Sequence, residues 1–175
     1  ALPDPKRWTV EAYLKFELTS DTKHEYFNGE VYAMAGASRK HNLINNNTST
    51  RLNVQLSSQA CEVYANDMRV RVNDLHYAYP DITVVCGEPQ FAKEKPDTLL
   101  NPTVLIEVLS PSTEGFDRGK KADNYRGMAS LQEYLLISQE VCHIMRYVRQ
   151  ASGEWLLTDF KNMDSIIELP SIGCT

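Results

Sequence analysis

The 175 residues carry 42% apolar and 23% charged side chains, ordinary proportions for a globular chain, and the length suits one domain, residues 1–175, with a substantial core. The net charge of −5 excludes indiscriminate attraction to nucleic acid and leaves only a local basic patch for that purpose. No apolar run reaches the ~20 residues of a membrane helix, and the opening ALPDPKRW lacks the apolar stretch of a signal peptide, so a cytoplasmic protein is expected.

The first element in chain order is a helix over 9–18, with Thr9 as N-cap and Val10, Tyr13, Leu14 and Leu18 on one apolar face. Asn28-Gly29 is two-residue hairpin chemistry, with strands near 24–27 and 30–35. A helix over 40–58 follows, bearing a stripe of Ile44, Thr48, Leu52 and Leu56. EVYANDMRVRV and YPDITVVC read as the next two strands, and GEPQFAKEKPDTLLNP as a polar connector over 87–102. TVLIEVL is apolar on both faces, as a central strand is. FDRGKKADNYRGM reads as a short polar helix, and strands are expected near EYLLI, CHIMRYVR, EWLLTDF and SIIEL. The cysteines, Cys61, Cys86, Cys142 and Cys174, form no C-x-x-C pair. They read as reduced thiols, with Cys86 and Cys142 as core fillers.

Glu107 stands out inside its apolar strand. An ionised carboxylate there is costly unless it is paired or holds a cation; a Lys or Arg partner, or a strand end that reaches solvent, would account for it structurally. Asp81 is ordinary turn chemistry when taken alone, but it begins the neighbouring apolar strand. Two carboxylates meeting at one end of a sheet repel each other, and a divalent cation relieves that repulsion. Oxygen-only ligands favour Mg²⁺ or Mn²⁺ over zinc.

Pro80-Asp81, a spacer, and Glu107 resemble the PD-(D/E)xK nuclease superfamily. More narrowly, IEVLSPST, DRGKK, Tyr125 and LQEYLLI resemble a bacterial "putative restriction endonuclease" family sometimes written Uma-two. EYFNGEVYAMAGASRKHNLI fits that family's acid-x-x-x-Gly, Met-x-Gly and His pattern. The likeness spans Trp8 to Trp155, in the ordered set Glu25, His41, Pro80-Asp81, Glu107, Ser110-Pro111-Ser112-Thr113, Asp117 and Lys121. It implies a restriction-endonuclease-like α/β fold with a mixed sheet flanked by helices. It also implies metal-dependent hydrolysis of DNA phosphodiesters, with Asp81, Glu107 and the Val108 carbonyl as metal ligands and Glu25 as a third acid.

The superfamily's lysine, two places after the second acid, is missing: Leu109 stands there. Asp117, Lys121 and Tyr125 fall at i, i+4 and i+8 on one helix face, and the family's D-R-x-x-K-x-x-x-Y pattern selects Lys121 over Lys120 as the replacement. His41 is a candidate near the metal or phosphate. Arg69 and Arg71 share a strand face and, with Arg39, Lys40, Arg118 and Lys120, could form the basic surface for phosphates. Cutting a duplex takes two centres, so a two-fold homodimer is expected, with the strand near 143–149 as its pairing edge. Two alternatives stay open. One is a binding or assembly protein with a disabled site, which Leu109 favours; the other is a metal hydrolase of another phosphate ester.

Overall fold

Thr9 caps the first helix through its hydroxyl, which accepts from the Ala12 N–H at 3.2 Å, and helix α1 runs Val10–Thr19. The structure is a computed structural model that describes residues 7–93, 95, 97–110 and 114–175. Tyr13 and Glu17 are buried on the packed face of α1, whereas Leu18, expected there, is 59% exposed. Consecutive residues point about 100° apart on a helix, so the polar anchoring of Glu17, described below, turns Leu18 outward.

Strands β1 (His24–Phe27) and β2 (Glu30–Ala33) form the expected hairpin. Asn28 and Gly29 have φ of 47° and 91°, the left-handed values this turn requires. Register pairs Tyr26 with Val31, and both pack toward α1; the alternate pairs, Glu25 with Tyr32 and Phe27 with Glu30, face the other way. Ser38 caps helix α2 (Arg39–Leu56) by accepting from the His41 N–H at 3.1 Å. Leu52 and Leu56 of its stripe are buried, and Ile44 and Thr48 are half-buried.

The segment EVYANDMRVRV, expected as one strand, is two. Asn66 adopts φ 64°, a turn conformation that Asn tolerates. It separates β3 (Cys61–Ala65) from β4 (Arg69–Asn73). Then come β5 (His76–Ala78), β6 (Ile82–Cys86), the short β7 (Thr98–Leu99) within the connector, and β8 (Val104–Leu109). A short helix α3 (Glu114–Phe116), a π-helical turn (Asp117–Lys121) and helix α4 (Ala122–Arg126) lead to β9 (Glu133–Ser138), β10 (Ile144–Arg149) and β11 (Trp155–Phe160). Ser165–Leu169, expected as a last strand, forms only the isolated bridge of Leu169 with Cys174. Pro170 follows directly and has no N–H to extend a ladder.

The strands make two mixed sheets where one was expected. One has the order β2-β1-β5-β4-β7 and the other β11-β10-β9-β8-β6-β3. Parallel pairs are β4 with β7 and β8 with β9. The strand near 143–149 is therefore interior, and β11 is the edge beyond it. Leu105 and Leu109 pack with Ala122, Tyr125 and residues of β4, while Val104 and Ile106 pack with Leu52 and Leu56 of α2. That alternation turns Glu107 toward α4 and the five-stranded sheet, away from α2.

The cysteine reading needs correction. Cys61 and Cys86 are register partners of β3 and β6 and form a disulfide, while Cys142 is exposed and Cys174 is the buried thiol. Strand register brings together two residues 25 apart, a pairing that sequence spacing does not reveal. Among the described residues no helix is long and apolar enough to cross a membrane.

Candidate active site

Register brings the two strand acids together. β6 and β8 pair with Ile82 opposite Ile106 and Val84 opposite Val104, so one further step sets Asp81 opposite Glu107 on a common face. The Asp81 carboxylate is held on both oxygens: Oδ2 accepts from the Val108 N–H at 2.7 Å, and Oδ1 lies 2.8 Å from His41 Nε2. Its main chain is anchored as well, the carbonyl accepting from Asn66 N at 2.9 Å and from Asn45 Nδ2 at 3.3 Å. The turn that split the expected long strand therefore also fixes Asp81.

Glu107 is 5% exposed. Its Oε1 accepts from the Tyr125 hydroxyl at 2.9 Å and lies 2.8 Å from Lys121 Nζ. The same ammonium is 3.0 Å from Glu25 Oε1 and 3.6 Å from Asp117 Oδ1. Asp117, Lys121 and Tyr125 do share a face, and that face is buried, so the helix expected as polar is half core. The chain kinks at Gly119 (φ −101°, ψ −106°) within the π-helical turn, a distortion frequent at functional sites. Lys120 is exposed, and Lys121 is the lysine that meets the acids.

Four carboxylates, those of Glu25, Asp81, Glu107 and Asp117, thus meet one lysine and one histidine. Burial pushes Glu107 up to about 8, against the pull of Lys121 and with Asp81, Asp117 and Glu25 adding to the rise. Burial alone would lower Lys121, but Glu107, Glu25, Tyr125 and Asp117 together hold it well above its ordinary value. His41 is raised chiefly by its hydrogen bond to Asp81. The donors are all hard oxygens with negative charge in excess, which is what Mg²⁺ or Mn²⁺ takes. Among the described residues no three of His, Cys, Asp and Glu stand as a ready metal cluster, and Lys121 lies between Glu25 and Glu107.

A second layer was not foreseen. Glu25 Oε1 also accepts from the Tyr79 N–H at 3.1 Å, and the Tyr79 hydroxyl donates to Glu17 Oε1 at 2.9 Å. Buried Glu17 further accepts from the His24 N–H at 2.9 Å. One acid of α1 thereby ties down both chain segments that carry Glu25 and Asp81. His76 is buried and stacked on Tyr125, with ring centroids 6.0 Å apart and planes 12° apart. Burial, with Lys121 adding to it, lowers His76 to about 3, so it is a neutral wall. The sequence sign for Glu17 was only that an acid replaced an apolar residue on the inner face of a helix.

The expected basic surface is largely not there. Arg69 is fully buried, with Nε donating to Thr98 Oγ1 at 2.9 Å and the guanidinium over the rings of Tyr13 and Tyr77; it is a core residue and no phosphate reaches it. Arg71 lines a cavity of about 370 Å³ with Asn73, Gln90 and Asn101, away from the acids. Lys40 pairs with Glu140 at 2.8 Å and Arg118 with Glu114 at 2.7 Å, while Arg39 and Lys120 are exposed. His41 is drawn to Asp81 itself. Pro111, Ser112 and Thr113 of the Ser-Pro-Ser-Thr signature lie outside the described residues.

Comparison with known proteins finds likenesses of family and of fold. The family model Uma2, described as "Putative restriction endonuclease", matches residues 10–174. A Synechocystis protein, "Uncharacterized protein slr1290", is 38% identical over 172 residues, covering 98% of this chain and 88% of that one. A second from the same organism, "Uncharacterized protein sll1609", is 35% identical over 161 residues, 91% of each. Among solved structures, the crystal structure of a "putative nuclease belonging to DUF820" from Anabaena variabilis superposes with a TM-score of 0.77. It is 20% identical and covers 95% of this chain and 91% of that one, a likeness of fold.

Proposed function

This chain belongs to the Uma2 family, and on that footing we propose that it is a nuclease, hydrolysing phosphodiester bonds in DNA with Mg²⁺ or Mn²⁺. The observation that carries the reading is the Lys121 ammonium 2.8 Å from Glu107 and 3.0 Å from Glu25. A cation supplied by the π-helical turn reaches the acids that a lysine two places after Glu107 would otherwise serve. Asp81 and Glu107 are the residues to hold the metal, with Glu25 beside them. The Val108 N–H points to Asp81, and in an extended strand the carbonyl of the same residue projects to that side too, which supports Val108 as a further ligand. The metal, when bound, would polarise the phosphate and lower the pKa of water.

The chain's own residues do the rest. Tyr125 and Val108 N–H fix the rotamers of Glu107 and Asp81, His41 holds the second oxygen of Asp81, and Tyr79 holds Glu25. Lys121 keeps its proton at Nζ among the carboxylates and offers positive charge where the phosphate accumulates negative charge. The binding-protein reading rests on Leu109, which is 4% exposed in the apolar core; the buried position of Lys121 weighs against it. Calorimetric titration of Mn²⁺, with a substrate panel of duplex DNA, single strands and mononucleotides, separates the readings. Metal binding with polynucleotide cleavage supports the nuclease. Cleavage of mononucleotides alone moves the assignment to another phosphate ester, and neither binding nor cleavage leaves the binding protein.

A further inference from the structure

The outward face of the first hairpin carries more than Glu25. Tyr32 is opposite Glu25 in register, so their Cβ atoms stand about 5 Å apart on one face. Phe27 lies two residues beyond Glu25 on that same face, and Phe116 immediately precedes Asp117. Phe116 meets Phe27 edge-on at 5.6 Å between centroids and Tyr32 at 6.3 Å with a 39° tilt. None of the three belongs to the apolar cores of the fold, and Tyr32 remains 46% exposed. Phe27 is anchored edge-on against buried His76 at 5.1 Å, and the three rings form a ledge beside Glu25 and Asp117 on which Tyr32 is the exposed face.

Resting on the nuclease reading, we infer that this ledge, with Tyr32 as its exposed ring, stacks a nucleobase next to the scissile phosphate, so that the substrate is a nucleic acid with unpaired nucleotides there. A phosphate drawn to the Lys121 ammonium between Glu25 and Glu107 would carry its base toward Tyr32, the register partner of Glu25. An aromatic face accepts any base. Bases inside an intact duplex are already stacked on their neighbours and present only edges in the grooves, so a base meets Tyr32 only when it is unpaired or turned out. With a net charge of −5, stacking also supplies affinity that lysines and arginines elsewhere provide.

The test compares Mn²⁺-dependent cleavage of a single-stranded oligonucleotide with that of its annealed duplex, using wild type, Tyr32→Leu and Tyr32→Phe. Leucine keeps apolar bulk without a π face, and phenylalanine keeps the face. Wild type should prefer the single strand; Tyr32→Leu should raise KM on it about tenfold with kcat little changed, and Tyr32→Phe should restore KM. An oligonucleotide carrying 2-aminopurine should lose fluorescence on binding wild type and Tyr32→Phe but not Tyr32→Leu, a reading independent of turnover. A preference for duplex, or Leu serving as well as Phe in KM and quenching, overturns the inference and leaves the nuclease. No cleavage of either form by wild type removes the nuclease reading, and this inference falls with it.

Discussion

Glu107 is the residue on which the account turns, because its charge is costly in the fold. In metal-free protein its folded pKa, raised to about 8, lies above the ~4.3 of an unfolded glutamate. Between these values the folded state holds a proton that the unfolded state has lost, so stability falls as pH rises through that window. Melting in EDTA from pH 5 to 8 should therefore show a declining Tm in wild type and a flatter profile in Glu107→Gln. A steeper fall in the variant would contradict this origin of the shift. The same variant should lose metal binding and cleavage together while folding as well as wild type or better, since a buried charge has gone; calorimetry and circular dichroism report both. Lys121→Ala should lower kcat by roughly a hundredfold, the scale of one removed charge stabiliser, and Leu109→Lys in that background should recover part of it. Leu109 shares the Glu107 face two residues along the strand, so the rescue asks whether the cation's position matters and not its origin. Full activity of Lys121→Ala alone would take Lys121 out of the mechanism.

At the scale of elements, the parts with local signals could be read from sequence. Thr9, Ser38 and Asn28-Gly29 set their caps and turn by local chemistry, and the apolar run of β8 could hardly be anything but a buried strand. The kinked approach of the π-helical turn was legible as far as the spacing of Asp117, Lys121 and Tyr125, which puts one face toward the acids. What stayed hidden depends on pairing partners. The division into two sheets rests on which strands pair, with left-handed Asn66 standing between β3 of one sheet and β4 of the other. The burial of Arg69 follows from the rings of Tyr13 and Tyr77 arriving from distant segments. The Cys61–Cys86 bond follows from β3–β6 register. Replacing both cysteines by serine should cost about 2–4 kcal/mol of stability by freeing the unfolded chain. Metal-dependent cleavage by the folded fraction should persist, because Asp81 at the other end of β6 keeps its bonds to Asn66, Asn45 and Val108. Denaturant titration with and without reductant measures the first effect, and loss of all activity in a folded variant would tie the bond to the site.

For the molecule as a whole, two sheets and a helical turn converge at one place: β1 brings Glu25, the start of β6 brings Asp81, β8 brings Glu107, α2 brings His41 and the π-helical turn brings Lys121. An acidic chain that gathers three carboxylates around one lysine, with Asp81 beside them, gains from any divalent cation that binds its folded form, so saturating Mn²⁺ should raise the Tm, and less so for Asp81→Asn. The central claim is that this convergence is a metal-dependent phosphodiesterase centre. The most direct measurement is cleavage of end-labelled DNA, single-stranded and duplex, by wild type and Asp81→Asn in Mn²⁺ and in EDTA. Asparagine keeps the size of Asp81, and its carbonyl oxygen can still accept from the Val108 N–H, while the charge is removed. The account predicts cleavage by wild type in Mn²⁺, abolished by EDTA and reduced at least a hundredfold in Asp81→Asn, the scale of a lost ligand to a catalytic metal. Cleavage by Asp81→Asn at the wild-type rate, or by wild type in EDTA, would contradict it.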